Sequence, residues 1–178
     1  NNNIFSGFSD TTGYPVAVWL SYGTGSGTIY AYNNTVYNSK YGFWNQASGG
    51  TFIAKNNIVQ GAVDGFNGAF NTASNYNISN IASDAPGANS KNSASVSFVD
   101  SANKDFHLLS TDTSAKNAGA DLSVDVNLAF TADIDDQTRT IPWDIGADEE
   151  LSIVSDATPP ILSSGSPAGI LPVNTTQT

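Results

Sequence analysis

Apolar and polar positions alternate in short bursts through the first hundred residues. Val16, Val18 and Leu20 interleave with Ala17, Trp19 and Ser21, and Ile29 and Ala31 interleave with Tyr30 and Tyr32. A period of two sends successive side chains to opposite faces of an extended strand. The bursts are rich in β-branched and aromatic residues, and Asn-Asn, Gly-Gly and Gly-Ser-Gly separate them. That pattern predicts strands of a few residues joined by tight turns. No window carries a convincing helical period.

The bursts also recur. Gly27-Thr28-Ile29-Tyr30-Ala31-Tyr32-Asn33-Asn34-Thr35-Val36 lies over Gly50-Thr51-Phe52-Ile53-Ala54-Lys55-Asn56-Asn57-Ile58-Val59 at an offset of 23, and Gly42-Phe43 falls over Gly65-Phe66. Asn2-Asn3-Ile4-Phe5-Ser6-Gly7 mirrors Asn56-Asn57-Ile58-Val59-Gln60-Gly61, and Tyr76-Asn77-Ile78-Ser79 is a weaker copy. A repeat of this length is the mark of a solenoid, in which each unit buries its apolar face only against its neighbours. Leucine is too scarce here for a leucine-rich repeat, so the pattern predicts an all-β fold, a parallel β-helix. Each turn would give two or three short strands, stacked at about 4.8 Å. The Asn-Asn pairs belong at corners, where Asn tolerates the left-handed conformation. Equivalent Asn side chains can then form a hydrogen-bonded ladder; the alternative is that they simply mark solvated turns.

The same register makes a functional prediction. If Val18 matches Phe43, Trp19 stacks on Trp44 on the outward face, with Tyr30, Tyr32 and Tyr37 on nearby outer surface. An exposed aromatic platform of that kind holds sugar rings by apolar contact. The competing reading is a cross-strand aromatic ladder that only stabilises the sheet.

Composition narrows the classes. Charged residues are 12% of the chain, against roughly 25% in ordinary domains, so twenty Asn together with Ser, Thr and Gly must wet the surface. A net charge of −10 argues against nucleic acid, whose binding rests on Lys and Arg neutralising phosphates. Without Cys there is neither a disulfide nor a thiolate metal site. No apolar run approaches the ~20 residues of a membrane span, so no membrane insertion is expected. The Asn1-Asn2-Asn3 opening and the lack of Met predict a piece of a longer chain.

Candidate chemistry is sparse. His107, the only histidine, sits in an apolar run and reads as a half-buried strand residue. No Gly-x-Ser-x-Gly, His-Glu-x-x-His or phosphate loop occurs. Between residues 1 and 80 the acids are Asp10 and Asp64 and the bases Lys40 and Lys55. The repeat does not gather them, so no catalytic residues are expected. Asp133, Asp135 and Asp136, with Asp121 and Asp125 upstream, form a dense set of oxygen donors that suits calcium; the plain alternative is a solvated acidic loop. Sequons occur at Asn33, Asn77 and Asn174.

The second half departs from the repeat. Asp105-Phe106-His107-Leu108-Leu109, Ser114-Ala115-Lys116-Asn117-Ala118-Gly119-Ala120, Asp133-Ile134-Asp135-Asp136-Gln137-Thr138-Arg139 and Trp143-Asp144-Ile145-Gly146-Ala147-Asp148-Glu149 follow in order. This series resembles the ending of bacterial pectate-lyase-like right-handed β-helix proteins, including those termed choice-of-anchor Q proteins. The resemblance implies right-handed coils over residues 1–100, a last coil with an irregular C-terminal cap over 101–150, and an extended tail over 151–178. That tail, after Asp156-Ala157-Thr158-Pro159-Pro160, resembles a linker and the first strand of a bacterial Ig-like domain, or a docking tail. Arg139, the only arginine, is expected to be pinned by Asp133, Asp135, Asp136 or Asp144. The function expected is a non-catalytic secreted or cell-surface module, adhesin-like or binding a polysaccharide or other glycan. The alternatives are the end of a polysaccharide lyase or glycoside hydrolase, or a filament or stalk subunit joined end to end with its own copies through the solenoid ends and a strand-donating tail.

Overall fold

A computed structural model describes residues 1–10, 12–20 and 26–151. Among these there is no α-helix, and the chain is all-β with mainly parallel sheets. In chain order the strands are β1 (Ile4–Ser6), β2 (Val16–Leu20), β3 (Thr28–Tyr32), β4 (Thr35–Tyr37), β5 (Tyr41–Asn45), β6 (Thr51–Lys55), β7 (Ile58–Gln60), β8 (Asp64–Gly68), β9 (Ile78–Ser79), β10 (Phe98–Asp100) and β11 (Asp105–Leu108). The predicted linker and Ig-like strand fall in residues 152–178 and lie outside the described residues.

Three sheets are parallel, in the orders β1-β4-β7-β9, β2-β5-β8 and β3-β6, and β10-β11 is an antiparallel pair. Consecutive strands from β1 to β8 enter different sheets or return beside the strand one turn earlier. The return distance is the sequence offset: Thr28 pairs with Thr51, Thr35 with Ile58 and Tyr41 with Asp64. The first turn is longer, because Ile4 pairs with Thr35 and Val16 with Tyr41. The extra residues lie in the connections around β2, so the copy at Asn2–Gly7 matches in content but not in spacing.

Side chains from the three sheets meet in one core. Val36, Phe43, Phe52, Ala54 and Val59 are fully buried there, and Phe43 stacks on Phe66 at 5.2 Å. Each such Val or Phe contributes about 1.5–3 kcal/mol by leaving water. The glycine of each Gly-Phe pair is required by crowding: a Cβ on Gly42 would lie 2.4 Å from the Gly65 carbonyl oxygen.

The Asn-Asn corners divide their work between the two residues. Asn2, Asn33 and Asn56 take the left-handed conformation, with φ of 51°, 49° and 55°. The second Asn of each pair turns inward and builds the ladder. The Asn34 backbone N–H and Nδ2 donate to Asn57 Oδ1 at 3.0 and 2.9 Å, and those of Asn57 donate to Asn77 Oδ1 at 3.1 and 3.0 Å. Asn34, Asn57 and Asn77 are buried. They are not solvated turn markers, because buried amides persist only when satisfied.

Residues 101–150 lie elsewhere than a simple end cap would. They run along the outer faces of two sheets. Leu122, Leu128, Phe130 and Trp143 pack on Tyr30, Tyr32 and Ile53, while Phe106, Leu108, Ala115 and Ile145 pack with Ile58 and Ile78. Asn33 Nδ2 donates to the carbonyls of Asp144 and Gly146 at 3.1 Å, tying this flank to the corner. The far end of the stack is closed by residues 84–94 instead: Asp84 accepts from the Phe66 N–H at 3.0 Å, and Lys91 bridges to Ile78.

Candidate functional site

The outward face of β2-β5-β8 carries an aromatic cluster. Val18 stands opposite Phe43, so Trp19 stands opposite Trp44, and the two rings stack with centroids 5.7 Å apart and planes 18° apart. Tyr14 and Tyr41 pack on the same Trp44 at 5.4 and 4.5 Å. Trp44 is thereby only 8% exposed, whereas Trp19 is 43% and Tyr14 66% exposed. Trp19 Nε1 donates to Gln46 Oε1 at 2.9 Å, which fixes the indole plane. Tyr14, Trp19, Trp44 and Gln46 line a cleft of about 110 Å³. Lys40 Nζ donates to the Gly13 carbonyl at 3.0 Å and sits over the rings of Tyr14 and Tyr41 at 6.0 and 5.5 Å. The same lysine lines a neighbouring cleft of about 290 Å³ with Asp10, Ser39 and Val63. An exposed indole and phenol braced by a buried ring, beside an amide and an ammonium, offer apolar contact and polar selection at one spot.

The other three aromatics predicted for this surface belong to different sheets: Tyr37, in β4, packs on Phe98 and Phe106 at 5.9 and 5.1 Å, and Tyr30 and Tyr32 lie in β3. Tyr32 is fully buried beneath Leu122 and Trp143. Its hydroxyl faces Asp125 at 3.5 Å, and burial, followed by the nearby Asp125 carboxylate, pushes the phenol upward in pKa. Tyr30 lies in the same cluster and donates to Asn127 Oδ1 at 3.1 Å. Both were predicted to face outward, and they do, but the 120s and 130s cover that face. Lys55 reaches Asp125 at 2.6 Å and sits over the Tyr32 ring at 5.1 Å, closing the flank. The platform is therefore Tyr14, Trp19 and Trp44. Tyr14 was missed because it precedes β2 and belongs to no repeat position.

Asp133, Asp135 and Asp136 do not converge on a common point. Asp133 is buried and accepts from the backbone N–H groups of Asp135, Gln137 and Glu149 at 2.9, 2.8 and 3.1 Å. Asp136 is exposed in the left-handed conformation. Asp135 turns to His107, whose Nε2 lies 2.8 Å from Asp135 Oδ2 and whose Nδ1 lies 2.5 Å from Asp105 Oδ1. His107 thus lies in strand β11, as expected, with its half-exposed imidazole held between two carboxylates. Its partners come from 28 residues onward and from its own strand, so no local motif announced them. Asp148 joins His107 and Asp135 in a group whose ligand-type atoms lie within 4.8 Å of one another, while accepting from the Leu108 N–H at 2.7 Å. The Asp105 hydrogen bond, opposed by some burial and aided by Asp135 and Asp148, raises His107 to about 9. An imidazolium thus already supplies the positive charge that a cation would bring.

Two further acidic groups serve the fold. Asp64, alone among its repeat neighbours in the sequence, meets Asp84 from beyond the repeats; burial chiefly raises the Asp64 carboxyl, and Asp84 adds to the rise. Asp84 is engaged by the Phe66 N–H and the Ser79 hydroxyl. Arg139 is buried and pinned by Glu149 at 3.2 Å, not by one of the aspartates. It also donates to the carbonyls of Gly146 and Ala147 at 3.0 and 2.8 Å and to Asn2 Oδ1 at 3.0 Å, and stacks over Trp143 at 5.4 Å. Asp144 is spent on the Asn117 and Glu150 N–H groups at 2.6 and 2.7 Å, and burial raises its carboxyl to about 6. The sequons at Asn33 and Asn77 fall on fully buried side chains, and Asn174 lies outside the described residues.

Among the described residues no helix is long and apolar enough to cross a membrane. Comparison with protein-family models, curated proteins and solved structures gives no match.

Proposed function

We propose that this chain is the C-terminal part of a right-handed parallel β-helix of the pectate-lyase-like, choice-of-anchor Q type, displayed outside the cell, and that it binds polysaccharide without transforming it. The fold reading is supported by three parallel sheets whose partners recur every 23 residues over much of the stack. One observation carries the functional reading: Trp19 and Tyr14 stand exposed over a buried Trp44, with the Gln46 amide locked at the rim. A flat apolar surface edged by amide and ammonium groups suits the apolar face and hydroxyls of a sugar ring. The acidic groups described above are spent on backbone N–H groups, on His107 and on lysines, which favours binding over catalysis.

The test is a glycan array, followed by titration of the best ligand against the natural chain, Trp19→Ala and Tyr14→Ala. Trp19→Ala is expected to weaken binding at least about tenfold, the equivalent of about 1.4 kcal/mol. The natural chain is expected to release no unsaturated or reducing ends from that polysaccharide. Absence of any retained glycan, or equal binding by Trp19→Ala, would remove the reading; release of product would favour the lyase or hydrolase alternative.

A further inference from the structure

The two ends of the stack differ in chemistry. At the far end the hydrogen-bonding groups are used: Asn77 N donates to Ser90 Oγ, and Asn77 Nδ2 to the carbonyls of Pro86 and Ala54. At the near end, β1, β2 and β3 each have a strand partner on one side only among the described residues. Phe5, Val18 and Ile29, which pair with the fully buried Val36, Phe43 and Phe52, are only partly covered.

The Asn ladder gives this open end a direction. Every step sends a backbone N–H and an Nδ2 from one Asn to the Oδ1 of the Asn one turn further on, beginning with Asn3 to Asn34 at 3.1 and 3.0 Å. Asn3 Oδ1, at the head, accepts no hydrogen bond from the described residues. A second gap lies beneath it. Asn57 Nδ2 also donates to the Ala31 carbonyl and Asn77 Nδ2 to the Ala54 carbonyl, each three residues ahead of the preceding ladder Asn. Asn34 is buried, yet among the described residues its Nδ2 donates only to Asn57 Oδ1. The carbonyl it lacks belongs to a residue three ahead of Asn3.

We propose that the open end is a docking surface for one more turn of this same repeat, joined ahead of Asn1. That turn brings an Asn whose N–H and Nδ2 donate to Asn3 Oδ1, apolar side chains that cover Phe5, Val18 and Ile29, and a final carbonyl for Asn34 Nδ2. A second copy of the chain is the poorer occupant, because the ladder donors at its far end are already engaged by Ser90 and Pro86. The inference rests on the parallel stacking and is independent of the sugar-binding reading, which the glycan array tests separately.

The test replaces Asn1 with a copy of residues 33–55, so that the copied Ala54 falls three ahead of Asn3 and the copied Asn34 falls over Asn3. Urea unfolding, sedimentation and amide hydrogen exchange are compared with the natural chain. The extended chain is expected to be monomeric, to unfold at higher urea, and to slow exchange across β1–β3 by about tenfold or more. Replacing the copied Asn34 by Val is expected to lose most of that gain. An unchanged midpoint with unchanged exchange would overturn the proposal. So would self-association of the natural chain that persists in the extended one, since it would assign the surface elsewhere. Should the extended chain misfold, the natural chain alone decides: β1–β3 must exchange faster than β4–β6, and equal protection would mean that the end is already covered.

Discussion

Removing the middle rung of the ladder, by Asn57→Ala, should be among the most damaging single changes to the protein. Asn57 is fully buried, and its Oδ1 is the acceptor for both Asn34 N and Asn34 Nδ2, at 3.0 and 2.9 Å. Its own Nδ2 serves the Ala31 carbonyl at 2.8 Å and Asn77 Oδ1 at 3.0 Å. Asn77 Oδ1 keeps the Asn57 backbone N–H, so it stays satisfied. The two Asn34 donors do not. Each buried group left without a partner costs about 1–3 kcal/mol, so the substitution should cost about 3–5 kcal/mol. That is a large share of the roughly 5–15 kcal/mol that holds a domain folded. Asn3→Ala is the control, because Asn3 is exposed and its backbone N–H to Asn34 survives; it should cost less than about 1 kcal/mol. Asn57→Asp keeps the acceptors but aims carboxylate oxygens at Ala31 O and Asn77 Oδ1 and buries a charge, so it should be more damaging at neutral than at acid pH. Urea unfolding followed by circular dichroism measures all three. If Asn57→Ala and Asn3→Ala fell within about 1 kcal/mol of each other, the ladder would not be a buried network and the argument would fail.

Three further outcomes follow from the flank and its charges. Gly146→Ala should destabilise by about 2–4 kcal/mol, because φ is +107° and a Cβ would lie 2.5 Å from Ile58 Cδ1 and 3.0 Å from Thr35 Oγ1; an unchanged urea midpoint would contradict that packing. Glu149→Gln should cost about 3–5 kcal/mol by leaving the buried Arg139 guanidinium without its counter-charge, and the pair replacement Arg139→Met with Glu149→Leu should cost less than the sum of the single changes. His107, raised from 6.5 to about 9 in the folded chain, should contribute stability that is complete below about pH 6.5 and is lost as pH rises through about 9. The contribution is small because the ring is half exposed. Imidazole NMR titration should show the raised value and its fall in Asp105→Asn, and a titration near 6.5 in the natural chain would refute the cluster.

Much of the repeat was legible because a parallel stack writes its register into the sequence. Pairing Gly27–Val36 with Gly50–Val59 identifies β3 with β6 and β4 with β7, and the Gly-Phe pairs identify β5 with β8. The Asn-Asn pairs were readable as corners because left-handed backbone and ladder amides both favour Asn. Which residue of each pair takes which role is set by the folded structure. The first turn was less clear, since the longer connections around β2 break the spacing while leaving Asn2–Gly7 recognisable. The flank was hardest to read, because its contacts span many residues and follow no period. Tyr32 obeys the strand alternation and points outward, yet a segment some ninety residues later buries it. Arg139 was readable as an ion-pair partner among acids, but six carboxylates lie within ten residues of it, and spacing does not choose Glu149. His107 gained its carboxylates from Asp135 and Asp148 through folding alone.

The register itself is the claim on which the rest depends, and cysteine pairing measures it directly because the chain has no Cys of its own. Thr28→Cys with Thr51→Cys, and Tyr37→Cys with Gln60→Cys, join residues paired across neighbouring parallel strands. Strands about 4.8 Å apart lie within disulfide reach, whereas Thr28→Cys with Ile53→Cys is two residues off and about 8 Å apart. Mild oxidation followed by mass spectrometry should find the two paired variants cross-linked and the offset variant reduced. Cross-linking of the offset pair in preference to the registered ones would contradict the stacking of successive turns.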